Sequence, residues 1–356
     1  MSQFLSPRFK IFETYTPGEQ PQDKKYIKLN TNESPYPPSP KTIAAAAPTA
    51  TALNLYSDPE QKALCCAASA LFGVPPENIL PVNGSDEALN YAFMSFCTEN
   101  TAIAYPSISY GFYPVLAALH GVPAQEIPLN EDLSINPHSF HALKKTIVIA
   151  NPNAPTGIAL PLSQIEEIIA ANPENIVIID EAYVSFGAQS AIPLIKKYKN
   201  LLVTRTFSKS HSLAGARLGF AIADKDLIAD LNIIKYSTNP YNINSMTAAC
   251  GISAIETNAY YKKNCAEIIE TREETAATLR TLGFQLTNSK ANFLFAKCDI
   301  ISGKALYTKL KSHGILVRHF DKPGISNHLR ITIGTKTQMQ ELISAVQKIL
   351  KEHTLP

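Results

Sequence analysis

A lysine in a hydroxyl-rich turn is the residue of this sequence best suited to chemistry. Lys209 follows a β-branched run that ends near Thr204. Its polar neighbours are Thr206, Ser208 and Arg217. Hydroxyl and guanidinium groups bind the oxygens of a phosphate monoester, and an arginine can do so bidentately. A lone loop lysine is usually a solvated surface residue, but this set favours an amine placed beside a bound phosphate.

A carboxylate stands at the end of a second predicted strand. Asp180 closes the apolar run Ile176–Asp180. Ligands of open α/β sheets bind at the carboxyl ends of the strands. There a carboxylate can keep a pyridine ring nitrogen protonated, and Tyr183 could reach the phenolic oxygen of the same ring. An Asp at a strand end is equally often a helix N-cap, so the pattern alone leaves both interpretations open.

Two further loops follow predicted strands. Gly84 and Ser85 come after Ile79–Val82 and open a helix, where free N–H groups bind anions and glycine allows close approach. The turn-rich segment Asn151–Gly157 follows Thr146–Ala150. Taken singly, each is the usual form of a capped helix or an ordinary loop. Four such elements at the carboxyl ends of strands predict one shared crevice.

The elements that must position these residues alternate between β-branched runs and helical periodicity from Asp58 onward. Strand and helix repeated in this way indicate an α/β fold, with a mostly parallel sheet covered by helices on both faces. The predicted strands are Ile79–Val82, Thr101–Tyr105, Thr146–Ala150, Ile176–Asp180, Leu201–Thr204, Gly219–Ile222, Phe284–Thr287, Phe293–Ala296, Ile315–Arg318 and Leu329–Ile333. Further helices are predicted at Lys41–Ala47, Lys304–Ser312 and Lys336–Lys351.

These patterns divide the chain into four parts. Residues 1–55 are rich in Pro and Asn and should form an irregular arm that contributes to the small domain and lies over a partner or a site. Residues 56–240 should form the large domain, and 241–282 a connecting helix. Residues 283–356 combine short strands with two helices, which predicts a smaller α+β domain.

Composition and charge narrow the class of function. The 356 residues include 32 basic and 30 acidic side chains, a balance that gives no reason to expect nucleic acid or an anionic membrane as partner. No stretch approaches the roughly 18 apolar residues of a membrane span, and no apolar signal segment opens the chain. The six cysteines are scattered without a CxxC pair. We therefore expect reduced thiols, no metal site and a cytoplasmic protein that acts on small molecules.

Together, the motifs resemble those of the fold-type I pyridoxal-phosphate aminotransferases, and within them the histidinol-phosphate branch. The strongest signature is Ser208-Lys209 with Arg217 eight positions after the lysine, preceded by Asp-x-x-Tyr at 180–183. The resemblance covers nearly the whole chain and implies a large domain that binds pyridoxal 5′-phosphate beside a smaller one. Further matching segments are Tyr15–Gly18, Leu29–Glu33, Tyr56–Pro59 and Leu329–Gly334.

The resemblance also implies a role for each matching residue. Lys209 would form a Schiff base with the cofactor and act as acid–base catalyst. Asp180 would pair with the pyridine nitrogen, and Tyr183 would donate to the phenolic oxygen. Tyr110 would stack on the ring, and Tyr56 would reach the phosphate from the other subunit, which implies a homodimer to whose contacts the arm contributes. The residues expected to hold the phosphate are Gly84, Ser85, Thr206, Ser208 and Arg217.

One position departs from the family pattern. The family usually has Asn immediately before Pro-Thr-Gly, where it bonds to the phenolic oxygen of the cofactor. Here Ala154 occupies that position, and Asn153 stands one residue earlier. Either the turn shifts so that Asn153 takes this role, or Tyr183 acts alone. We expect Asn153 to serve.

The implied reaction is a transamination in two halves, between histidinol phosphate and 2-oxoglutarate. Arg318 and Arg330, on predicted strands of the small domain, would bind the substrate phosphate and the acceptor carboxylate, because guanidinium groups suit both. For any single arginine on a half-exposed strand, a surface role is the usual one. Tyr15, Asn32 and Asn292 are weaker candidates, since each could instead satisfy loop backbone groups.

Several other functions stay open at this point. An aromatic-amino-acid aminotransferase or a threonine-phosphate decarboxylase of the same fold would share the lysine and the arginines. A catalytically silent module that binds the cofactor or a nucleotide and regulates a partner is a further alternative. A plain dinucleotide-binding fold is disfavoured, because Asn83-Gly84-Ser85 does not match the GxGxxG pattern.

Overall fold

Short strands and helices alternate along the chain, of which the computed structural model describes residues 2–9 and 12–354. The strands are β1 (Ile27–Lys28), β2 (Ile79–Asn83), β3 (Ile103–Pro106), β4 (Ala124–Ile127), β5 (Thr146–Ala150), β6 (Val177–Asp180), β7 (Leu201–Thr206), β8 (Leu218–Ala223), β9 (Phe284–Leu286), β10 (Phe293–Cys298), β11 (Ile315–Leu316), β12 (Arg318–His319) and β13 (His328–Thr332). The helices are α1 (Pro40–Thr49), α2 (Lys62–Phe72), α3 (Ser85–Phe96), α4 (Tyr113–His120), α5 (Leu162–Ala170), α6 (Phe207–Ser210), α7 (Lys225–Thr238), α8 (Ser245–Glu256), α9 (Asn258–Thr281), α10 (Gly303–Ser312) and α11 (Lys336–Thr354). Short 3-10 turns lie at Pro7–Phe9, Ala50–Ala52, Pro76–Asn78, Pro137–Phe140, Val184–Phe186 and Ile192–Lys196.

The large domain is built on a seven-stranded sheet with the strand order β2-β8-β7-β6-β5-β3-β4. From β7 to β4 all neighbouring strands run parallel, whereas β8 is antiparallel to both β7 and β2. Only β8 is reversed, so β2 runs in the same direction as the parallel strands. The carboxyl ends of every strand except β8 therefore meet at one edge, where open sheets bind ligands. The prediction of a mostly parallel α/β sheet is confirmed.

Side chains of the sheet fill two cores because successive residues of a strand point to opposite faces. In β5, Ile147 and Ile149 pack into one core, while Val148 and Ala150 pack into the other. Burial on both faces explains why these strands read as continuous apolar runs in the sequence. Each large aliphatic side chain buried in this way stabilises the fold by roughly 1.5–3 kcal/mol.

The smaller domain has an antiparallel four-stranded sheet in the order β12-β13-β10-β9. Its apolar face packs against α9, α10 and α11 in a core separate from those of the large sheet. The N-terminal arm joins this domain, because β1 pairs in parallel with β11 and places Ile27 opposite Ile315. Arm and small domain therefore form one side of the crevice that faces the large sheet.

The interval 241–282 differs from the single connecting helix that was predicted, because it contains two helices, α8 and α9, that meet at Thr257. Thr257 Oγ1 donates to the Ser253 carbonyl and bonds with the Ser39 hydroxyl. The Ser39 amide in turn donates to the Tyr261 hydroxyl. These bonds fasten the start of α1 to the helix junction. The sequence on both sides of Thr257 is typical of a helix, so it did not reveal the junction.

The predicted strand Ile315–Arg318 is also divided. β11 pairs with the arm, whereas Arg318 in β12 pairs with Arg330 in β13. Two strands, β1 and β4, were not predicted. β1 has only two residues, and three of the four residues of β4 are exposed at the sheet edge, so neither has an apolar run.

Among the helices that the structure describes, none has the length and apolar character needed to cross a membrane.

Arg272 in α9 is a buried cation that ties the two domains together, and we expect its loss to destabilise the protein. Its Nη1 donates to the carbonyls of Phe186, at 2.9 Å, and Ala291, at 2.7 Å. Arg272→Met leaves both carbonyls buried without this donor, so the free energy of unfolding should fall by about 2–5 kcal/mol. Urea denaturation followed by circular dichroism measures the change. Arg280→Met, on the exposed side of the same helix, is the control, and an equal effect in both variants would contradict this role.

Candidate active site

A cavity of about 940 Å³ lies at the carboxyl ends of the large-domain strands, between the sheet and the small domain. Its walls bring together most of the residues predicted from the sequence. The predicted residues that line it are Tyr15, Asn32, Ser85, Tyr110, Asp180, Tyr183, Thr206, Ser208, Lys209, Arg217, Arg318 and Arg330. The predicted crevice therefore exists, and both domains contribute cationic side chains to it.

Lys209 extends into this cavity from α6, the short helix that follows β7. Thr206 caps that helix, since its Oγ1 accepts from the Ser208 amide at 3.1 Å. The Lys209 amine donates to the carbonyl of Thr31 at 3.0 Å. Burial, with a smaller contribution from the positive charge of Arg330, lowers the pKa of Lys209 to about 8. An amine with this pKa is partly neutral near pH 7, so it can act as a nucleophile or a base.

Asp180 lies at the end of β6 and is buried, with 3% of its surface exposed. Its two carboxylate oxygens accept from the hydroxyls of Tyr113 and Thr204, each at 3.0 Å. Burial raises the pKa of Asp180 to about 6, although both hydrogen bonds act in the opposite direction. The 3-10 turn that follows has Tyr183 at its N-cap position, so Asp180 is not the helix cap that the sequence alternatively allowed. Nothing in the local sequence pointed to Tyr113 or Thr204.

Tyr183 is connected to the small domain through Asn32. The Asn32 amide donates to the Tyr183 hydroxyl at 2.9 Å, and its Oδ1 accepts from the hydroxyl of Thr332 at 3.0 Å. Asn292 is fully buried outside the cavity wall and donates to the Asn32 carbonyl at 2.9 Å. Asn32 therefore faces the cavity, while Asn292 supports it from behind. Burial raises the pKa of Tyr183, and nearby Arg330 together with the Asn32 bond lowers it in part.

Gly84 and Arg217 pack closely together at the start of α3, and we call this pair the cradle. Gly84 has a φ of +77°, and a Cβ at this position would overlap the Arg217 guanidinium. Gly219 in β8 allows the same close approach, because a Cβ there would lie 2.7 Å from the Ser85 backbone nitrogen. Gly84 itself does not line the cavity. The next residue, Ser85, does line it.

Asp86 is a cavity residue that the sequence reasoning missed. Its carboxylate accepts from the Tyr110 hydroxyl at 3.0 Å and from Arg217 Nη2 at 3.2 Å. It therefore orients both an aromatic ring and a guanidinium that the sequence analysis had selected separately. The sequence could have indicated this role, because Asp86 directly follows Gly84 and Ser85 in the first turn of α3.

The two predicted arginines lie side by side, because Arg318 in β12 is the cross-strand partner of Arg330 in β13. Arg330 lies near the rings of Phe293 and Phe320, at 5.4 and 5.6 Å from their centroids, and donates to the Asn30 carbonyl. Its buried Nε has no hydrogen-bond partner. Arg318 donates to the carbonyls of arm residues 16 and 17. This side of the cavity is suited to anionic ligands.

The expectation that Asn153 reaches the cavity is wrong. Its Nδ2 donates to the Ile108 carbonyl at 2.9 Å and to Thr156 Oγ1 at 3.2 Å, and its Oδ1 accepts from Ser109 Oγ at 2.7 Å. The side chain is 1% exposed and holds neighbouring loops together. The smaller Ala154 lines the cavity in its place.

Tyr56 also lies outside the cavity of its own chain. Its side chain is 83% exposed, and its ring stacks on that of Tyr241 with 4.4 Å between centroids. Tyr15 does reach the cavity, where its ring makes edge contacts with Tyr110 and Phe112. The arm and the segment before α2 therefore present aromatic rings in two different directions.

Comparisons with known proteins agree with this arrangement. The model of the family "Aminotransferase class I and II" matches residues 24–346. A histidinol-phosphate aminotransferase of Brachyspira hyodysenteriae is 49% identical over 353 residues, with 99% of this chain and 100% of the relative covered. One from Acinetobacter baumannii (strain AB307-0294) is 44% identical, with 97% of each covered. The crystal structure of the Sinorhizobium meliloti histidinol-phosphate aminotransferase with pyridoxal 5′-phosphate has a TM-score of 0.84 at 24% identity, and the match covers 92% of each chain. The chain therefore belongs to the aminotransferase class I and II family.

Proposed function

We propose that this chain is a pyridoxal-phosphate-dependent transaminase that moves an amino group between histidinol phosphate and 2-oxoglutarate. One observation carries the proposal: a single cavity contains the Lys209 amine, the Asp180 carboxylate and the neighbouring guanidiniums of Arg318 and Arg330. Relatives at 43–49% identity over nearly the whole chain carry the name histidinol-phosphate aminotransferase, which supports this choice of substrate.

The residues of the cavity fit pyridoxal 5′-phosphate. The cradle at Gly84 is too narrow for a Cβ beside Arg217, a geometry that suits close approach of a phosphate to the start of α3. When bound, the cofactor supplies an aldehyde for an amine and a protonated ring that accepts electrons. The phosphate would be held by Gly84, Ser85, Thr206, Ser208 and Arg217, and the ring by Tyr110, Asp180 and Tyr183.

Lys209 would carry the covalent link and then move the proton. A buried amine with a pKa of about 8 loses its proton more readily than an ordinary lysine, so it can attack a carbonyl near neutral pH. With the cofactor and substrate bound, the same Nζ would be suited to take a proton from the substrate carbon and return it elsewhere. The Thr31 carbonyl, which accepts from this amine, is suited to orient it.

Asp180 would keep the ring nitrogen of the cofactor protonated. Its carboxylate is held by Tyr113 and Thr204 at the floor of the cavity, so its position is fixed by two elements of the sheet domain. Where water is excluded, the attraction between a carboxylate and a positively charged partner is stronger than the same attraction in water. Asn153, whose amide is bonded elsewhere, has no part in this proposal except to hold the loop before Tyr110.

Arg318 and Arg330 would recognise the anionic ends of both substrates. A phosphate monoester and a carboxylate each accept two parallel hydrogen bonds from a guanidinium. Tyr15 and Asn32 line the same region, and Asn292 supports Asn32 from behind. A pocket built in this way accepts histidinol phosphate in one half-reaction and the oxo-acid in the other.

We further propose a homodimer in the cytoplasm. Large apolar side chains are exposed on and around the segment that contains Tyr56, a pattern typical of an interface. These side chains are Leu53, Leu55, Tyr56, Ile233, Tyr236 and Tyr241. Tyr56 would reach the phosphate of the partner chain, in keeping with its exposure outside its own cavity. All six cysteines are free thiols, which suits a reducing compartment.

The choice of substrate is tested by turnover of histidinol phosphate, phenylalanine and tyrosine, each with 2-oxoglutarate as acceptor. We expect the highest kcat/KM with histidinol phosphate. Arg330→Lys replaces a planar guanidinium, which can donate two parallel hydrogen bonds, with a single ammonium group. This change should raise KM for histidinol phosphate and 2-oxoglutarate by roughly 10–100-fold. The exposed Arg280→Lys is the matched control. A clear preference of the parent enzyme for phenylalanine would overturn the substrate assignment without affecting the cofactor.

Asp180→Asn should separate stability from activity. The folded chain raises the pKa of Asp180 to about 6, so its charged form destabilises the fold as pH rises through that value. Without cofactor, the variant should be more stable than the parent by roughly 2–3 kcal/mol above about pH 7, and the gain should vanish below about pH 4. Transaminase activity should fall sharply because the ring nitrogen loses its charged partner.

Urea denaturation of the cofactor-free proteins across this pH range measures the effect. Asp230→Asn, on the exposed side of α7, controls for a general change in net charge. A stability difference between Asp180→Asn and the parent that does not vary with pH would contradict the burial argument.

A further inference from the structure

Two histidines and a glutamate converge on the large domain, away from the cavity. His138 lies in the 3-10 turn Pro137–Phe140, His141 directly follows that turn, and Glu167 lies in α5. The turn leads into the amino end of β5, and α5 leads into the amino end of β6. Because the cavity lies at the carboxyl ends of these strands, the cluster is at the opposite edge of the sheet and has no role in the proposed transamination.

We propose that His138, His141 and Glu167 bind a transition-metal ion of the zinc class. Two imidazoles and one carboxylate are a ligand set that suits zinc and its neighbours in the first transition row. Calcium and magnesium prefer oxygen ligands throughout, so this donor set disfavours them. A water molecule would complete a four-coordinate site.

The distances agree with such a site. Glu167 Oε1 lies 3.2 Å from His138 Nδ1 and 3.1 Å from His141 Nε2, and the three ligand atoms all lie within 4.8 Å of one another. Zinc bonds of roughly 2.0–2.1 Å place neighbouring ligand atoms of a tetrahedron about 3.3 Å apart. The side chains therefore need only small adjustments to surround one ion.

Hydrogen bonding does not account for this arrangement. His141 Nε2 is buried and makes no hydrogen bond of regular geometry, and its one recorded contact is an ion pair with the Glu167 carboxylate oxygen 3.1 Å away, which requires a protonated ring. A buried ring nitrogen left without a partner costs free energy, so such atoms are uncommon in folded proteins. A metal ion at the shared point would use the lone pair of this nitrogen.

The backbone around the cluster is firmly held, which reduces the ordering that binding would require. The Asn136 side chain caps the 3-10 turn by accepting from the His138 amide at 3.1 Å. Asn172, just after α5, donates to the Phe140 carbonyl at 2.7 Å and accepts from the Leu143 amide at 3.1 Å. A bound ion would add a third connection between the turn and α5, so we expect it to stabilise the protein.

Calorimetric titration of the cofactor-loaded protein with zinc chloride tests the proposal. Cys66 is an exposed free thiol, so Cys66→Ser serves as the parent. We expect one saturable site per chain, with affinity at least about tenfold weaker in His141→Gln and in Glu167→Gln. Zinc should raise the thermal midpoint of the parent but not of these variants. His353→Gln, which removes an exposed imidazole in α11, should behave like the parent.

Two results would overturn the proposal. One is the absence of a saturable zinc site in the parent. The other is unchanged zinc affinity in the double variant His138→Gln/His141→Gln. Retained cofactor absorbance and an unaltered metal-free thermal midpoint verify that the variants are folded, so a loss of zinc affinity reports on the ligands themselves.

Discussion

The structure depends on the burial of an amine and a carboxylate in one cavity. Burial destabilises the charged form of both groups, so it lowers the pKa of Lys209 to about 8 and raises that of Asp180 to about 6. Lys209 donates a hydrogen bond to the Thr31 carbonyl, and Asp180 accepts one from the Tyr113 hydroxyl. These bonds reduce the free-energy cost of burying the two groups. Both groups then titrate near neutral pH, where acid–base and nucleophilic catalysis are most effective.

The register of the sheet determines where these groups lie. Asp180 in β6 is aligned with Ala150 in β5 and Thr204 in β7, so three strand ends meet at the floor of the cavity. The small domain supplies the opposite wall and places Arg330 close enough to the amine for its charge to lower the pKa of Lys209. Asn32 joins the two, because it bonds to Tyr183 on one side and to Thr332 on the other. A change in either domain would therefore alter the geometry of one shared site.

Much of this arrangement follows from local sequence, and some of it does not. Lys209 and Asp180 were found because each stands at or near the end of a strand that apolar runs predict, and Arg217 because it follows the lysine by eight positions. Tyr113 was missed, since its bond to Asp180 spans 67 residues and no local pattern records it. The same holds for Thr31, which lies 178 residues from Lys209. Asn153 was assigned wrongly because sequence spacing does not show that its amide donates to the Ile108 carbonyl of a neighbouring loop and to Thr156 within its own turn.

Reduction of the cofactor-loaded protein with borohydride, followed by peptide mass spectrometry, tests the central claim most directly. Borohydride makes the link between the cofactor and its lysine permanent, so the added mass identifies the residue. We expect this mass at Lys209, none in Lys209→Ala, and the same labelling as the parent in the exposed Lys225→Ala. Modification at a different lysine, or no modification of the parent, would contradict it.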